Sequence, residues 1–278
     1  MTESWSRRLF SEMVARPDEA VDLAEASLLI ACEEYPDLDV PGYLSRLDAM
    51  AVLLRNRVGE GADPSDLVAA LRRYLFEEEG FKGNSQEYYD PRNSFLNDVL
   101  DRKVGIPITL STLYMEIARR AGLPVHGVGL PGHFIVRVEL PGGGLLVDPF
   151  HGGEPLTARD CQKRLDRIYG GKVALESRML ASCGRKHILA RTLRNLKAIY
   201  LKAEDRSRAL GIVSLLLRLD PQSPEDLRDR GLLHDALDCY ALAASDLEAY
   251  LTLVPSAHEA EKLRERITDL RRRAARLN

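Results

Sequence analysis

Apolar side chains at helical spacing predict one long helix in the middle of the chain. They occupy i, i+3, i+4, i+7, i+8 and i+11 and form a single stripe: Leu110, Leu113, Tyr114, Ile117, Ala118 and Ala121. Pro107 suits the first turn, where a missing N–H costs no hydrogen bond, and Gly122 suits the position after the last turn. The pattern therefore predicts a helix over residues 107–121.

Short runs with alternating polarity follow this helix and predict strands. Residues 125–129 form one such run, and residues 134–140 form a second, with Phe, Val, Val and Leu alternating against Ile, Arg and Glu. The turn Pro141-Gly-Gly-Gly separates them from a third run, residues 145–147, which ends in Asp148-Pro149. A helix followed by antiparallel strands within one segment predicts the α+β class.

Helical spacing also dominates both ends of the chain, which divides it into three predicted regions. Residues 1–75 are predicted to be a helical N-terminal region, 76–187 the α+β core and 188–278 a helical tail. In the tail, Leu219-Asp-Pro221 and Leu253-Val-Pro255 end two helical runs, and the two prolines are 34 residues apart. This period is typical of tetratricopeptide helix pairs, which present concave binding surfaces.

The composition is that of a globular protein and narrows the classes of partner. Of 278 residues, 45% are hydrophobic, and 39 Lys and Arg stand against 42 Asp and Glu, for a net charge of −3. This apolar fraction argues against disorder, and the balanced charge argues against nucleic acid as a partner. No apolar run approaches the ~18–20 residues that cross a bilayer, so no membrane partner is expected. We also expect no secretory signal.

The cysteines give no sign of a metal or redox site. Cys32, Cys161, Cys183 and Cys239 lie far apart and none belongs to a C-x-x-C pair. This usage predicts a reducing, cytoplasmic location, and no cofactor is predicted. His126, His133 and His151, together with Asp148, have spacings that match no standard ligand pattern, so no metal is predicted either.

Several short motifs are spread along the chain. They are Asn93-Ser-Phe-Leu-Asn-Asp-Val-Leu, Gly105-Ile-Pro-Ile-Thr-Leu-Ser, Pro131-Gly-His-Phe, Asn195-Leu-Lys-Ala-Ile-Tyr and Arg228-Asp-Arg-Gly-Leu-Leu. The segments around the predicted helix and strands resemble the transglutaminase-like superfamily, and with these motifs the whole chain resembles the bacterial SirB-type proteins. These proteins join a transglutaminase-like core to tetratricopeptide repeats and are described as regulators of sirC expression.

The resemblance implies a papain-like site that lacks its nucleophile. In the superfamily enzymes a Cys opens a helix, a His begins a strand and an Asp ends the next strand. His133 and Asp148 fall on the His and Asp positions, but the Cys position falls on Pro107, which has no nucleophilic atom. A shifted alignment offers the hydroxyls of Thr109 or Ser111, which are weaker nucleophiles than a thiolate and need a well-placed base.

The hairpin register decides whether His133 faces Asp148 directly. A turn centred between Leu140 and Pro141 places the two opposite each other. A turn centred on Gly142-Gly143 sets Asp148 opposite Arg137 and leaves His133 about 13 Å away along the strand. A glycine-rich bulge is compatible with the first register, so the sequence leaves both open.

A loop rich in aromatic and amide side chains precedes the candidate helix. Tyr88, Tyr89, Asn93 and Asn97 are predicted to line the mouth of the cleft. As an alternative, Asn93 caps the short helix predicted over residues 94–102.

These features lead to two functional hypotheses. The first is a catalytically degenerate transglutaminase-like core that acts as an interaction or regulatory module and binds a partner protein through its cleft or its repeat-like tail. The second is a hydrolase or acyl-transferase that uses the His133–Asp148 dyad with a non-Cys nucleophile or an activated water. A nucleic-acid regulator is supported only by the description of the resembled family.

Overall fold

The structure of the protein is a computed structural model that describes residues 4–59, 61–256 and 258–277. Contacts between residues divide the chain into two compact units. The first contains Arg16–Thr192, and the second combines the chain before residue 16 with Leu193 onward. The division of the sequence into domains at residues 1–75, 76–187 and 188–278 remains a prediction.

The Arg16–Thr192 unit contains six complete helices. Aspartates at residues 22, 39 and 63 accept hydrogen bonds from backbone N–H groups in the first turns of three of them, which satisfies donors that a helix start leaves free. The helices are α2 Leu23–Ala31, α3 Val40–Val58, α4 Pro64–Arg72, α5 Leu96–Arg102, α6 Pro107–Arg120 and α7 Ala158–Tyr169. A π-helical segment, Arg73–Glu78, continues α4.

The strands of this unit form one antiparallel sheet and one small parallel pair. The sheet has the order β6-β5-β4-β3-β7, and β1 pairs with β2. The strands are β1 Lys82–Gly83, β2 Val104–Gly105, β3 Val125–Val128, β4 Ile135–Leu140, β5 Gly143–Asp148, β6 Glu154–Leu156 and β7 Ser182–Cys183. The predicted α+β class and the three predicted strands are confirmed.

The register of the β4–β5 hairpin differs from both registers considered from the sequence. Leu140 pairs with Gly143, so the turn is the dipeptide Pro141-Gly142. Gly142 and Gly143 have φ values of +112° and +135°, which residues other than glycine rarely adopt. These two glycines allow a tight two-residue turn without a bulge, and Asp148 lies one residue beyond the Val136–Val147 pair.

Helix α6 is the centre of the unit. It is the predicted helix 107–121, and it packs against α2, α3, β3 and β4. More of the helix surface is buried than the predicted apolar stripe, since the polar Ser111, Thr112 and Glu116 are buried as well. Arg119 and Arg120 pair with the Glu116 carboxylate, which removes the cost of burying it alone.

The second unit is helical, as predicted for the tail. Its helices are α1 Trp5–Val14, α9 Arg206–Leu219, α10 Pro224–Ala236, α11 Tyr240–Leu253 and α12 Ala260–Leu277, with the part of α8 Arg185–Lys202 that follows residue 192. Successive helices α9 to α12 pack against their neighbours, and α1 packs against α9. In the described parts of the chain, every helix is too short or too polar to cross a bilayer.

We expect Gly231→Ala to destabilise the repeat-like unit by about 1–3 kcal/mol, as overpacking does. A Cβ at Gly231 would lie 2.8 Å from Leu247 Cγ and 3.3 Å from the carbonyl oxygen of Ala243, so α10 and α11 would have to separate. Thermal unfolding measures the loss. Leu247→Val in the same background shortens the opposing side chain, and we expect the two changes to be non-additive. An unchanged or raised unfolding temperature for Gly231→Ala, as helix propensity alone predicts, would contradict this packing.

Candidate functional site

The structure brings His133 and Asp148 into direct contact. His133 Nε2 lies 2.8 Å from Asp148 Oδ2, and both side chains are buried. The strand register does not pair them. The contact forms because the chain turns before β4, where the His133 N–H donates to the Leu130 carbonyl and Gly132 has a φ of +71°.

Asp148 is the hub of a larger hydrogen-bonded cluster. Its Oδ2 also lies 2.9 Å from His151 Nδ1 and 2.9 Å from a guanidinium nitrogen of Arg164. Its Oδ1 accepts from the backbone N–H groups of Phe150 and His151 and so caps the 3₁₀ turn Pro149–His151. Asp148 therefore joins the end of β5 to that turn, to α7 and to His133.

The cluster keeps the Asp148 carboxylate ionised. Burial on its own raises the pKa of Asp148. Hydrogen bonds from His133 and His151 and the charges of His133 and Arg164 outweigh burial, and they hold the pKa of Asp148 well below its usual range. The result is a buried anion whose two oxygens both contact polar or charged neighbours.

The predicted nucleophile positions are not directed at the imidazole. Pro107 is the buried first residue of α6. The Thr109 hydroxyl donates to the Asn93 carbonyl at 2.7 Å, and the Ser111 hydroxyl donates to the Phe134 carbonyl at 3.5 Å. Within residues 4–59, 61–256 and 258–277, no Ser, Thr or Cys side chain forms a hydrogen bond with the His133 ring.

The two loop tyrosines differ in their relation to the histidine. Tyr88 packs edge-on against Phe150 with 6.4 Å between ring centroids, and Phe150 packs edge-on against His133 at 6.0 Å. Tyr89 is 65% exposed and packs edge-on against Tyr88. A chain of aromatic rings thus leads from the surface to His133. The role of these tyrosines as cleft-lining residues stays a prediction.

The two asparagines are buried, and Asn93 holds the loop in place. Asn93 donates through Nδ2 to the Glu87 carbonyl at 2.7 Å and accepts from Asn84, so the alternative in which Asn93 caps the following helix is wrong. The residue before α5 is Phe95, and no side chain caps that helix. Asn97 lies on α5, and its Oδ1 has no hydrogen-bond partner among the described residues.

Two arginines of the site were not predicted. Arg191 on α8 donates to the carbonyls of Leu130 and His133 at 3.1 and 2.7 Å and so fixes the main chain of the histidine. It lies 58 residues from His133, and no local pattern links the two. Arg164 lies on α7, whose start carries a recognisable sequence signal, the reciprocal capping pair Thr157 and Asp160. That signal predicts α7 but not the contact with Asp148.

Three of the four residues weighed as metal ligands come together. One ligand atom each from His133, Asp148 and His151 lies within 4.8 Å of the other two. His126 is exposed on β3 and lies outside this group. The spacing along the chain gave no reason to expect the cluster, because it depends on the turn before β4 and the 3₁₀ turn after β5.

A helix start, a histidine before one strand and an aspartate at the end of the next define a core of the transglutaminase-like type. The profile of the transglutaminase-like superfamily matches residues 42–194, and a tetratricopeptide-repeat profile matches residues 196–268. The chain belongs to the SirB-type, or UPF0162, family of transglutaminase-like proteins.

Relatives from several bacteria support this assignment. A UPF0162 protein of Xylella fastidiosa (strain 9a5c) is 40% identical over 273 residues, covering 97% of each chain. A UPF0162 protein of Vibrio cholerae is 31% identical over 202 residues, covering 72% of this chain and 74% of the relative. Protein SirB1 of Salmonella typhimurium is 25% identical over 245 residues, covering 87% of this chain and 91% of the relative. The predicted resemblance is confirmed.

Proposed function

We propose that this chain is a non-catalytic transglutaminase-like protein that acts as an interaction or regulatory module in the cytoplasm. The observation that carries the proposal is the start of α6. A thiol at a helix N-terminus is activated by the helix dipole and a neighbouring imidazolium, whereas Pro107 offers no nucleophilic atom. The nearby hydroxyls of Thr109 and Ser111 donate to main-chain carbonyls.

A structural role accounts for the His133–Asp148 pair without catalysis. Asp148 accepts from two backbone N–H groups, pairs with Arg164 and lies within hydrogen-bond distance of two histidines. Buried polar networks of this kind fix one arrangement of the elements they join, and each unpaired member is costly. The dyad therefore stabilises the core even where no substrate is turned over.

One observation favours the second hypothesis, a hydrolase that uses an activated water. His133 directs Nε2 at Asp148, and among the described residues its Nδ1 has no hydrogen-bond partner. An oriented imidazole with one free nitrogen is the arrangement that a general base needs. This candidate predicts turnover that depends on His133, whereas the interaction module predicts none.

A groove in the repeat-like unit supports partner binding. It has a cavity volume of about 330 Å³ and is lined by side chains that include Tyr200, Leu201 and Leu232, beside the charged Glu204, Arg206 and Asp229. Leu201 is 43% exposed, so its apolar side chain is accessible to a partner in the groove. We infer that the groove takes an apolar side chain from a partner segment. Tetratricopeptide helices are a common scaffold for such binding.

We expect Leu201→Glu to reduce partner recovery about tenfold or more, which corresponds to the loss of a single interface hot spot. The substitution replaces an apolar lining side chain with a charged one beside Glu204, Arg206 and Asp229. Leu201 is exposed enough for the variant to fold. The measurement is affinity capture of the tagged full chain from its native cells after crosslinking, with quantitative mass spectrometry.

Leu242→Glu is the matched control. Leu242 is 56% exposed on α11 and does not line the groove, so this variant should capture the same partner as the wild type. Equal recovery of the partner by both variants would place binding away from the groove. The absence of any specific partner of the wild type would contradict the proposed function itself.

A further inference from the structure

The side chains of His133, Asp148 and His151 converge on one point. Asp148 Oδ2 lies 2.8 Å from His133 Nε2 and 2.9 Å from His151 Nδ1. Asp148 is fully buried, His133 is nearly so, and His151 is 45% exposed at the side chain. The two nitrogens and the oxygen thus form a preformed set with one side open to solvent.

The hydrogen bonds of this cluster cannot all be satisfied by protein groups. His151 Nδ1 lies 2.9 Å from Asp148 Oδ2, which only accepts when the carboxylate is ionised, and 3.0 Å from Arg164 Nη1, which only donates. A ring nitrogen offers either an N–H or a lone pair. One of these two contacts is therefore unfavourable whichever tautomer is present.

We propose that His133 Nε2, His151 Nδ1 and Asp148 Oδ2 bind one divalent transition-metal ion of the Zn²⁺ type. An ion at this point takes the lone pairs of both imidazoles and the negative charge of the carboxylate, which resolves the conflict at His151. Two imidazoles and one carboxylate are a donor set for Zn²⁺ and related ions, whereas Mg²⁺ and Ca²⁺ prefer oxygen ligands. The exposed face leaves room for a water molecule.

His133 and Asp148 are held by contacts that do not involve their proposed metal-binding atoms. Arg191 and Leu130 fix the main chain of His133 on both sides of its peptide. Asp148 is oriented through its other oxygen, which caps the 3₁₀ turn. Such supporting contacts orient ligand atoms and strengthen metal sites.

Arg164 is the competitor for this site. Its guanidinium contacts both Asp148 Oδ2 and His151 Nδ1, so metal binding must release it from the histidine. Its side chain belongs to α7 and is 15% exposed. The proposal replaces the expectation of no metal, and it goes beyond the interaction function because it holds whether or not a partner binds.

The test is a calorimetric titration of the metal-stripped full chain with Zn²⁺. We expect one ion per chain for the wild type and no comparable binding of Mg²⁺. His151→Ala removes a proposed ligand and should bind Zn²⁺ at least about tenfold more weakly, because loss of even a residue that only supports a ligand costs about 10–100-fold. His126→Ala is the matched control, because it removes an exposed histidine outside the cluster, and it should bind like the wild type.

Co²⁺ distinguishes this site from adventitious binding to cysteine. Cys183 and Cys239 are partly or fully accessible thiols, and thiolate ligation gives a sulfur-to-cobalt charge-transfer band in the near ultraviolet. We expect visible ligand-field bands without that band. The proposal is overturned if the wild type binds no Zn²⁺, if His151→Ala binds as tightly as the wild type, or if the thiolate band appears. These readouts involve neither a partner nor turnover, so their failure is separate from failure of the proposed function.

Discussion

Asp148→Ala is expected to lower the free energy of unfolding by about 3–5 kcal/mol, the cost of breaking a buried ion pair by removing one partner. Asp148 is fully buried, and its loss leaves Arg164 without its carboxylate and two backbone N–H groups without their cap. Chemical denaturation at neutral pH measures the effect. Asp48→Ala is the control in the same unit, because Asp48 pairs with Arg120 at an exposed position and such pairs contribute about 0–1 kcal/mol.

The same residue predicts an acid-labile contribution to stability. Folding lowers the pKa of Asp148, so its stabilising effect is complete above the pKa of the unfolded carboxyl, about 4, and is lost as the pH falls below that value. The difference in stability between the wild type and Asp148→Asn should therefore shrink between about pH 5 and pH 3. A difference that does not change over this range, or an alanine variant as stable as the wild type, would contradict the role of Asp148 as a buried anion.

Lys197→Met should have the second large effect, of about 3–5 kcal/mol, in the repeat-like unit. The Lys197 ammonium lies 2.8 Å from Asp226 Oδ1 and 2.5 Å from Asp229 Oδ2, and Lys197 and Asp226 are both buried. Burial on its own lowers the pKa of Lys197, but its hydrogen bonds to Asp226 and Asp229 raise it above the usual range. Methionine keeps the shape of the side chain and leaves two neighbouring carboxylates without their cation.

Hydrogen exchange of the α10 and α11 amides, together with thermal unfolding, measures the loss at Lys197. Glu225→Gln is the control, because Glu225 contacts the same ammonium at 3.4 Å while its side chain is 72% exposed. We expect the control to change stability by less than about 1 kcal/mol. Equal effects of the two variants would show that burial of the Lys197 pair does not matter.

Helix α6 shows how far the hydrophobic pattern predicts the fold. The apolar stripe and the flanking Pro107 and Gly122 predicted its bounds closely, because both depend on local geometry. The pattern could not predict that the polar face is buried too. Burial of Glu116 depends on its pairing with Arg120, and burial of Ser111 depends on the packing of β4 against the helix.

The candidate site shows the limit of register arguments. The residues were predicted, but both registers considered were wrong, because the two-residue turn is Pro141-Gly142 and lies between the two positions considered. The contact between His133 and Asp148 arises from turns outside the ladder. Arg164 and Arg191 approach from helices that follow later in the chain, and the sequence around the dyad carries no signal for such long-range contacts.

Reaction with an acyl donor in the presence of a chelator decides whether the core has a nucleophile. Intact-mass spectrometry compares the wild type and Pro107→Cys, each with and without His133→Ala. We expect no His133-dependent acyl adduct on the wild type and an adduct on Pro107→Cys that His133→Ala suppresses. An acyl adduct on the wild type that disappears in His133→Ala would contradict the account and make the protein an acyl-transfer catalyst.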